Sequence, residues 1–201
     1  MGTKVVNVAS TGVAATLLIS GHTAHKAFGM PIQLDETSNS YLKMQDEQAR
    51  ILREADLIIW DEAPSIDRHY LELVELLFSD VMQEKRFFFG GKTFLLGGDF
   101  RQCLPVIPRG TMAQCTGACL KSSPLWQHFK QFHLTKNMRL TTDVDQTTFA
   151  DWLLQVGNGN LKTPLFQDLD HGINIKLVHS RSDLIDKVFG KTISESTMHD
   201  L

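Results

Sequence analysis

Cysteine is scarce in this chain. Its three residues, Cys103, Cys115 and Cys119, are too few and too odd in number for a disulfide framework and suit a reducing compartment. Cys115 and Cys119 can share a helix face, but without two further ligands they make no zinc site. An excess of charge is lacking too. Twenty Lys+Arg stand against 23 Asp+Glu, a net charge of −3, so no general basic field attracts nucleic acid and any polyanion must be held by a local groove. No apolar run approaches the length of a membrane span, and the N-terminus shows neither the charged nor the apolar region of a secretory signal. The expectation is an intracellular protein with no membrane association. What is present is a globular composition, 42% hydrophobic and 21% charged over 201 residues, enough for one domain plus an appendage.

The most informative stretch is Leu57-Ile58-Ile59-Trp60-Asp61-Glu62-Ala63-Pro64. Four bulky apolar residues bounded by charge read as a strand of a parallel sheet buried on both faces, with two acids at its carboxyl end. Ligands bind at that edge in open α/β sheets, because the loops leaving the strands converge there. An Asp closing such a strand can hold Mg²⁺ together with phosphates, and a Glu after it can orient or deprotonate water. A strand that simply ends in a solvated acidic turn would look the same.

Other segments repeat the design. The first strand, Lys4 to Ala9, runs into Ser10-Thr11-Gly12 and a small-residue helix, a βα unit whose hydroxyls and free amides can grip phosphate oxygens. Gly21-His22-Thr23-Ala24-His25-Lys26-Ala27-Phe28-Gly29 supplies donors, one cation and one aromatic, which suits a sugar-phosphate backbone with a base stacked nearby. A surface or capping role is open for either histidine. Residues 35–41 have the composition of a surface loop, and a helix is predicted over 42–54 with Leu42, Ala49 and Leu52 turned toward the sheet. A second helix carries Leu71, Val74, Leu77, Phe78 and Val81 behind an Asp67 cap. Phe87-Phe88-Phe89 reads as packing at a loop edge. Lys92 to Leu96 is another buried strand, ending in Gly97-Gly98-Asp99, with Gln102 placed to orient water or touch a terminal phosphate. Phe132-His133-Leu134 is predicted as a third such strand, leading to Arg139, a permanent cation suited to charge developing on a phosphate. Phe149, Trp152, Leu153 and Val156 form an apolar helix stripe, taken as core, that stops at Gly157-Asn158-Gly159.

Taken in order, Ala9-Ser10-Thr11-Gly12-Val13-Ala14-Ala15, Gly21 to Phe28, Ile59 to Pro64, Gly98 to Val106 and Leu134 to Leu140 resemble successive motifs of PIF-type DNA helicases. These are RecD-like enzymes of superfamily 1B, and the closest form is the one associated with Helitron transposons. The likeness spans about residues 4 to 160. It implies an α/β, RecA-like motor fold of the P-loop NTPase type, with a mostly parallel sheet flanked by helices and truncated at the N-terminus. Residues 1–160 would be a partial first motor domain and 161–201 a connector toward a second. The resemblance further implies ATP and Mg²⁺ as cofactors, single-stranded DNA as partner, 5′-to-3′ translocation with unwinding, roles in DNA repair, recombination and telomere maintenance, and a nuclear or mitochondrial location. Carried onto this sequence, Asp61 would hold the metal, Glu62 would activate water, Gln102 would sense the γ-phosphate and Arg139 would serve as an arginine finger. Ser10, Thr11, Thr23, His25, Lys26 and Phe28 would line the DNA track. Asp61, Gln102 and Arg139 are expected in one crevice, with Thr23 and His25 on a separate face.

One departure is decisive for activity. A motor of this class needs a G-x-x-G-x-G-K-[ST] loop, whose amides and Lys cradle the β- and γ-phosphates, and these 201 residues contain none. Self-association through a surface left open by the missing segment is expected as well. The alternative function is a DNA- or protein-binding module derived from a decayed mobile element, with the fold kept and hydrolysis lost. A DEAD-box or AAA-type ATPase fits poorly, because Asp61-Glu62-Ala63-Pro64 lacks the DEAD ending. Purified residues 1–201 are therefore expected to show no DNA-stimulated ATP hydrolysis in a phosphate-release assay. A rate that disappears in Glu62→Gln would overturn this.

Overall fold

The computed structural model describes residues 2–34, 38–102, 106–139, 144–160, 180, 183–185 and 187. The chain divides into two compact units at Thr135/Lys136, ahead of the motif-based boundary near 160. Residues 161–179, the first part of the expected connector, lie outside the described residues.

The first unit is built on a four-stranded parallel sheet: β1 (Val5–Ala9), β2 (His22–Thr23), β3 (Leu57–Asp61) and β4 (Thr93–Leu96), in the order β2-β1-β3-β4. Paired residues in register share a face. The rows Val6-Ile58-Phe94 and Val8-Trp60-Leu96 therefore point to one side, and Val5-Leu57-Thr93 and Asn7-Ile59-Leu95 to the other. On the first side the residues join the main core. It is closed by α2 (Ala24–Phe28), α3 (Glu47–Glu54) and α4 (Arg68–Met82), which contribute Ala24, Ala27, Phe28, Ala49, Leu52, Leu71, Val74 and Phe78. The second side is only partly covered. There α1 (Gly12–Thr16) brings Ala14 and Ala15 against Ala9, while Val5 and Leu95 remain 42% and 51% exposed.

Local chemistry sets the helix ends. Asp67 caps α4 as the sequence indicates, its side chain accepting from the His69 amide at 2.9 Å. The helix predicted from Leu42 begins instead at Glu47. The Lys43 amide donates to Asp46 Oδ2 at 2.9 Å and the Leu42 amide to Ser40 Oγ at 3.1 Å, so side chains hold residues 42–46 in turns ahead of the helix. At its far end Lys92 Nζ donates to the carbonyls of Arg53 and Ala55 at 2.6 and 2.7 Å, satisfying the terminal acceptors of α3. Of the three consecutive phenylalanines, Phe89 is buried on Phe94 with ring centroids 4.3 Å apart, whereas Phe87 is exposed.

Phe132-His133-Leu134 is not a strand. Among the described residues it has no ladder partner, and Phe132 is 76% exposed and Leu134 wholly so. Apolar alternation gives a strand only where a neighbouring chain supplies hydrogen bonds, and among the described residues nothing pairs with β4 beyond β3. Two further α-helices are α5 (Met112–Gly117) in the first unit and α6 (Val144–Gly157) in the second. In α6, Phe149 stacks on Trp152 at 5.9 Å, yet Phe149 and Leu153 are about half exposed, so the stripe taken as core is only partly buried among the described residues. Among the described residues no helix is long and apolar enough to cross a membrane.

Phe28 is fully buried, with ring centroids 5.3 Å from Trp60 and 5.8 Å from Phe78. Phe28→Ala is expected to cost about 3–5 kcal/mol through lost contacts and a residual cavity, measured as a shift of the urea unfolding midpoint followed by circular dichroism.

Candidate functional site

The carboxyl ends of β3 and β4 are bound into one turn. The Gly97 amide donates to the Trp60 carbonyl at 2.8 Å and the Ala63 amide to the Gly97 carbonyl at 3.0 Å, carrying the ladder past the last paired residues. Asp61 accepts the Glu62 amide on Oδ1 at 3.0 Å, and its carbonyl takes the Ser10 amide at 3.1 Å, which brings the exit of β1 to the same place. Glu62 adopts a left-handed backbone, φ 52° and ψ 30°, uncommon for a residue with a side chain and costly enough to require support from its surroundings. That support comes from Ser65 Oγ, which donates to the Glu62 carbonyl at 2.7 Å, and from the two glycines that follow β4. A Cβ on Gly97 would lie 3.2 Å from Asp61 Oδ1. One on Gly98, where φ is +146°, would lie 2.3 Å from Pro64 Cδ. Only backbone fits between the acids and β4.

Gln102 follows on the same exit. Its amide donates to the Asp99 carbonyl at 3.2 Å, and its side chain is exposed. Arg101 donates to Asp99 Oδ1 from both its amide, at 3.0 Å, and its guanidinium, at 2.9 Å. The guanidinium hydrogen bond holds the Asp99 carboxyl below the usual range, with a smaller contribution from the Gln102 side chain. Asp61 and Glu62 thus stand at one sheet edge against Gly97 and Gly98, and Gln102 lies four residues further along the segment that leaves β4. Arg139 belongs to the second unit, where its amide donates to Asn137 Oδ1 at 3.0 Å and its side chain is exposed.

The hydroxyl residues occupy the same edge further along. Ala9 pairs with both Asp61 and Thr23, so Thr23 stands two strands from the acid, roughly 10 Å at ordinary strand spacing. The expected separate face is a lateral offset along one edge. Ser10 Oγ accepts the Trp60 indole N–H at 3.0 Å, Thr11 Oγ1 the Ala14 amide at 3.2 Å, and Thr23 Oγ1 the Lys26 amide at 3.3 Å. In each bond the protein uses an acceptor lone pair, and the O–H remains a donor suited to an anionic oxygen. Lys26 is exposed at the head of α2, and His25 is half-buried, desolvation holding its imidazole below the ordinary value. Phe28 departs from expectation: as a fully buried core residue it cannot stack on a base, and its task is to anchor α2.

Sequence reasoning also missed Tyr70, whose ring meets His25 edge-on at 5.0 Å. It extends the apolar stripe of α4, four residues before Val74 and packed on the main core, and carries no motif. A Gly91-Lys92-Thr93 tripeptide ends like a phosphate loop, but Thr93 opens a strand rather than a helix and the Lys92 ammonium is engaged on α3, so it cradles no phosphate. Among the described residues no three His, Cys, Asp or Glu side chains group as a metal cage. Cys115 and Cys119 are free thiols, and Cys103 lies outside the described residues.

Residues 1–166 match the family model described as PIF1-like helicase. The chain belongs to the PIF1-like helicase family. Among its relatives, the ATP-dependent DNA helicase Pif1 of Bdellovibrio bacteriovorus is 26% identical over 197 residues, covering 96% of this chain and 42% of that protein. The ATP-dependent DNA helicase PIF3 of Trypanosoma brucei brucei is 29% identical over 176 residues, covering 87% and 20%. The fold is that of solved Pif1 helicases. Bacteroides Pif1 bound to single-stranded DNA superposes with a TM-score of 0.68 at 22% identity, covering 90% of this chain and 43% of that one. The complex with ADP-AlF3 and single-stranded DNA gives 0.68 at 20%, covering 96% and 49%. The RecA-like α/β sheet expected from the motifs is therefore present, in a chain that spans less than half the length of these relatives.

The PIF1-type acidic turn depends on two glycines for its geometry. Gly98→Ala is expected to lower stability by about 1–3 kcal/mol, since it combines backbone strain with a steric clash. Gly117→Ala, on the last turn of α5 with open space around it, should be neutral or slightly stabilising. Paired denaturant melts of the two variants check both.

Proposed function

We propose that this chain is the central part of the first motor domain of an ATP-dependent 5′-to-3′ DNA helicase, contributing the acidic half of the nucleotide site and a track for single-stranded DNA. The observation that carries this reading is the bonding of two strand exits into one turn, which sets Asp61 and Glu62 beside the segment leading to Gln102. Mg²⁺ fits this site in one way. It is usually bound by one or two carboxylates plus substrate phosphates, and Asp61 spends Oδ1 on the Glu62 amide while keeping acceptor capacity for an ion or its waters. Bound there with ATP, the ion would neutralise charge on the phosphates. Glu62, held left-handed at the turn, is the base for the attacking water and Gln102 a contact for the terminal phosphate, while the arginine-finger role of Arg139 stays what the family resemblance implies. Ser10, Thr11, Thr23, His25 and Lys26 offer donors and charge to a phosphate backbone without reading bases. The same reading assigns the protein to a compartment that holds DNA, the nucleus or the mitochondrion. Self-association is favoured by the partly bare second face of the sheet, with Val5 and Leu95 exposed.

The binding-module alternative keeps the track and loses the chemistry, and one experiment separates the two. With a synthetic segment carrying a G-x-x-G-x-G-K-[ST] loop fused ahead of Lys4, the protein is expected to gain DNA-stimulated ATPase activity. Glu62→Gln should then reduce the rate about 10²- to 10⁴-fold, as loss of a general base does. Fluorescence anisotropy with labelled single strands should show affinity falling as salt rises. A fusion that binds DNA but hydrolyses nothing would favour the binding module.

A further inference from the structure

The first turn of α4 lies against the first turn of α2. Tyr70 is the third residue of α4 and His25 the second of α2, and their rings meet edge-on at 5.0 Å and 65°. The Tyr70 hydroxyl donates to the Ile32 carbonyl at 2.6 Å, in the segment that follows α2. One half-buried side chain therefore grips the head of α2 with its ring and the chain beyond α2 with its hydroxyl. A helix of five residues has little stability of its own. The direction in which it presents Thr23, His25 and Lys26 is accordingly set by tertiary holds. On one side that hold is Phe28 in the core; on the other it is Tyr70. Its anchorage is firm, because Asp67 caps α4 only five residues beyond Glu62 and the turn between them is pinned by Ser65.

We propose that Tyr70 is a positioning residue of the single-stranded DNA track, fixing the head of α2 and the Ile32 segment so that Thr23, His25 and Lys26 are preset for a sugar-phosphate backbone. This rests on the DNA-track reading above. Burial, and secondarily the charge of Asp67, raise the phenol above its ordinary value, so its hydroxyl stays protonated and remains a donor at neutral pH and well above it.

The test uses the whole chain and a labelled single-stranded oligonucleotide, with wild type, Tyr70→Phe and Tyr70→Ala compared by anisotropy, and the His25 ring followed by NMR through a pH titration. Tyr70→Phe keeps the ring contact and loses the bond to Ile32, and is expected to weaken binding about fivefold, the worth of one hydrogen bond. Tyr70→Ala should weaken it further and move the His25 titration upward as the imidazole becomes solvated, whereas Phe at the same position should hold it near the wild-type midpoint. Circular dichroism reports whether each variant folds, and if Tyr70→Ala does not, Tyr70→Phe decides. Wild type that binds DNA with both folded variants binding equally well, or a His25 midpoint indifferent to loss of the ring, would overturn the role of Tyr70 alone. Wild type that binds no DNA would overturn the track reading, and this role with it.

Discussion

A single indole organises the carboxyl edge of the sheet. Trp60 is fully buried on β3, directly before the acids, and a buried N–H without a partner costs about 1–3 kcal/mol. Ser10 supplies the partner from the exit of β1, at 3.0 Å. The ring packs on Phe28, which anchors α2. The carbonyl of the same residue receives Gly97 from the exit of β4. One residue with no catalytic chemistry therefore ties together the segments that carry Ser10, Asp61, His25 and Gln102. Moving the indole would displace the acids and the hydroxyls together.

This explains why so many residues at the edge do two jobs. Ser10, Thr11 and Thr23 each satisfy a buried or helix-terminal donor with an acceptor lone pair, and those bonds limit how each hydroxyl can rotate. A hydroxyl fixed in this way loses less freedom when it meets an anion than one that rotates in solvent, so structural bonding and ligand binding reinforce each other. The acids work differently. Glu62 is held in a backbone conformation that few side-chain-bearing residues adopt, and the neighbouring glycines make room for it. Ser20, Gln83, Phe89 and Arg109 share that left-handed backbone, and Glu62 differs from them in sitting where the exits of β1, β3 and β4 are bonded together.

Much of this was legible in the sequence, and the reasons for what was not are physical. The strands around Ile58-Ile59-Trp60 and Phe94-Leu95-Leu96, the stripe of α4 and the Asp67 cap all follow from local pattern, because burial and capping act over a few residues. The motif order also identified the acids and glycines that converge. Phe28 was misread because an aromatic within a polar motif looks available, and only the tertiary position of α2 shows that it faces Trp60. Phe132 to Leu134 has a strand's pattern, but pattern does not provide a ladder partner. Tyr70 carries no motif, and its helical spacing from Val74 and Leu77 marks it only as a core-facing residue. Its importance is relational, arising where the heads of two helices separated by some forty residues are brought side by side.

The sheet itself is asymmetric, and the asymmetry separates what sets the site from what does not. Parallel sheets are ordinarily covered on both faces, yet here the rows Val6-Ile58-Phe94 and Val8-Trp60-Leu96 are packed under three helices while Val5 and Leu95 on the opposite rows stay about half exposed. Among the contacts that aim the acidic turn and the head of α2, Trp60 to Ser10, Phe28 to Trp60 and Phe78, Tyr70 to His25, and Gly97 to Trp60 and Ala63 all lie on the packed side or in the backbone ladder. The rigidity of the carboxyl edge therefore does not depend on what covers the second face. A partner segment laid there would add burial and stability, and would meet an acidic turn already in place.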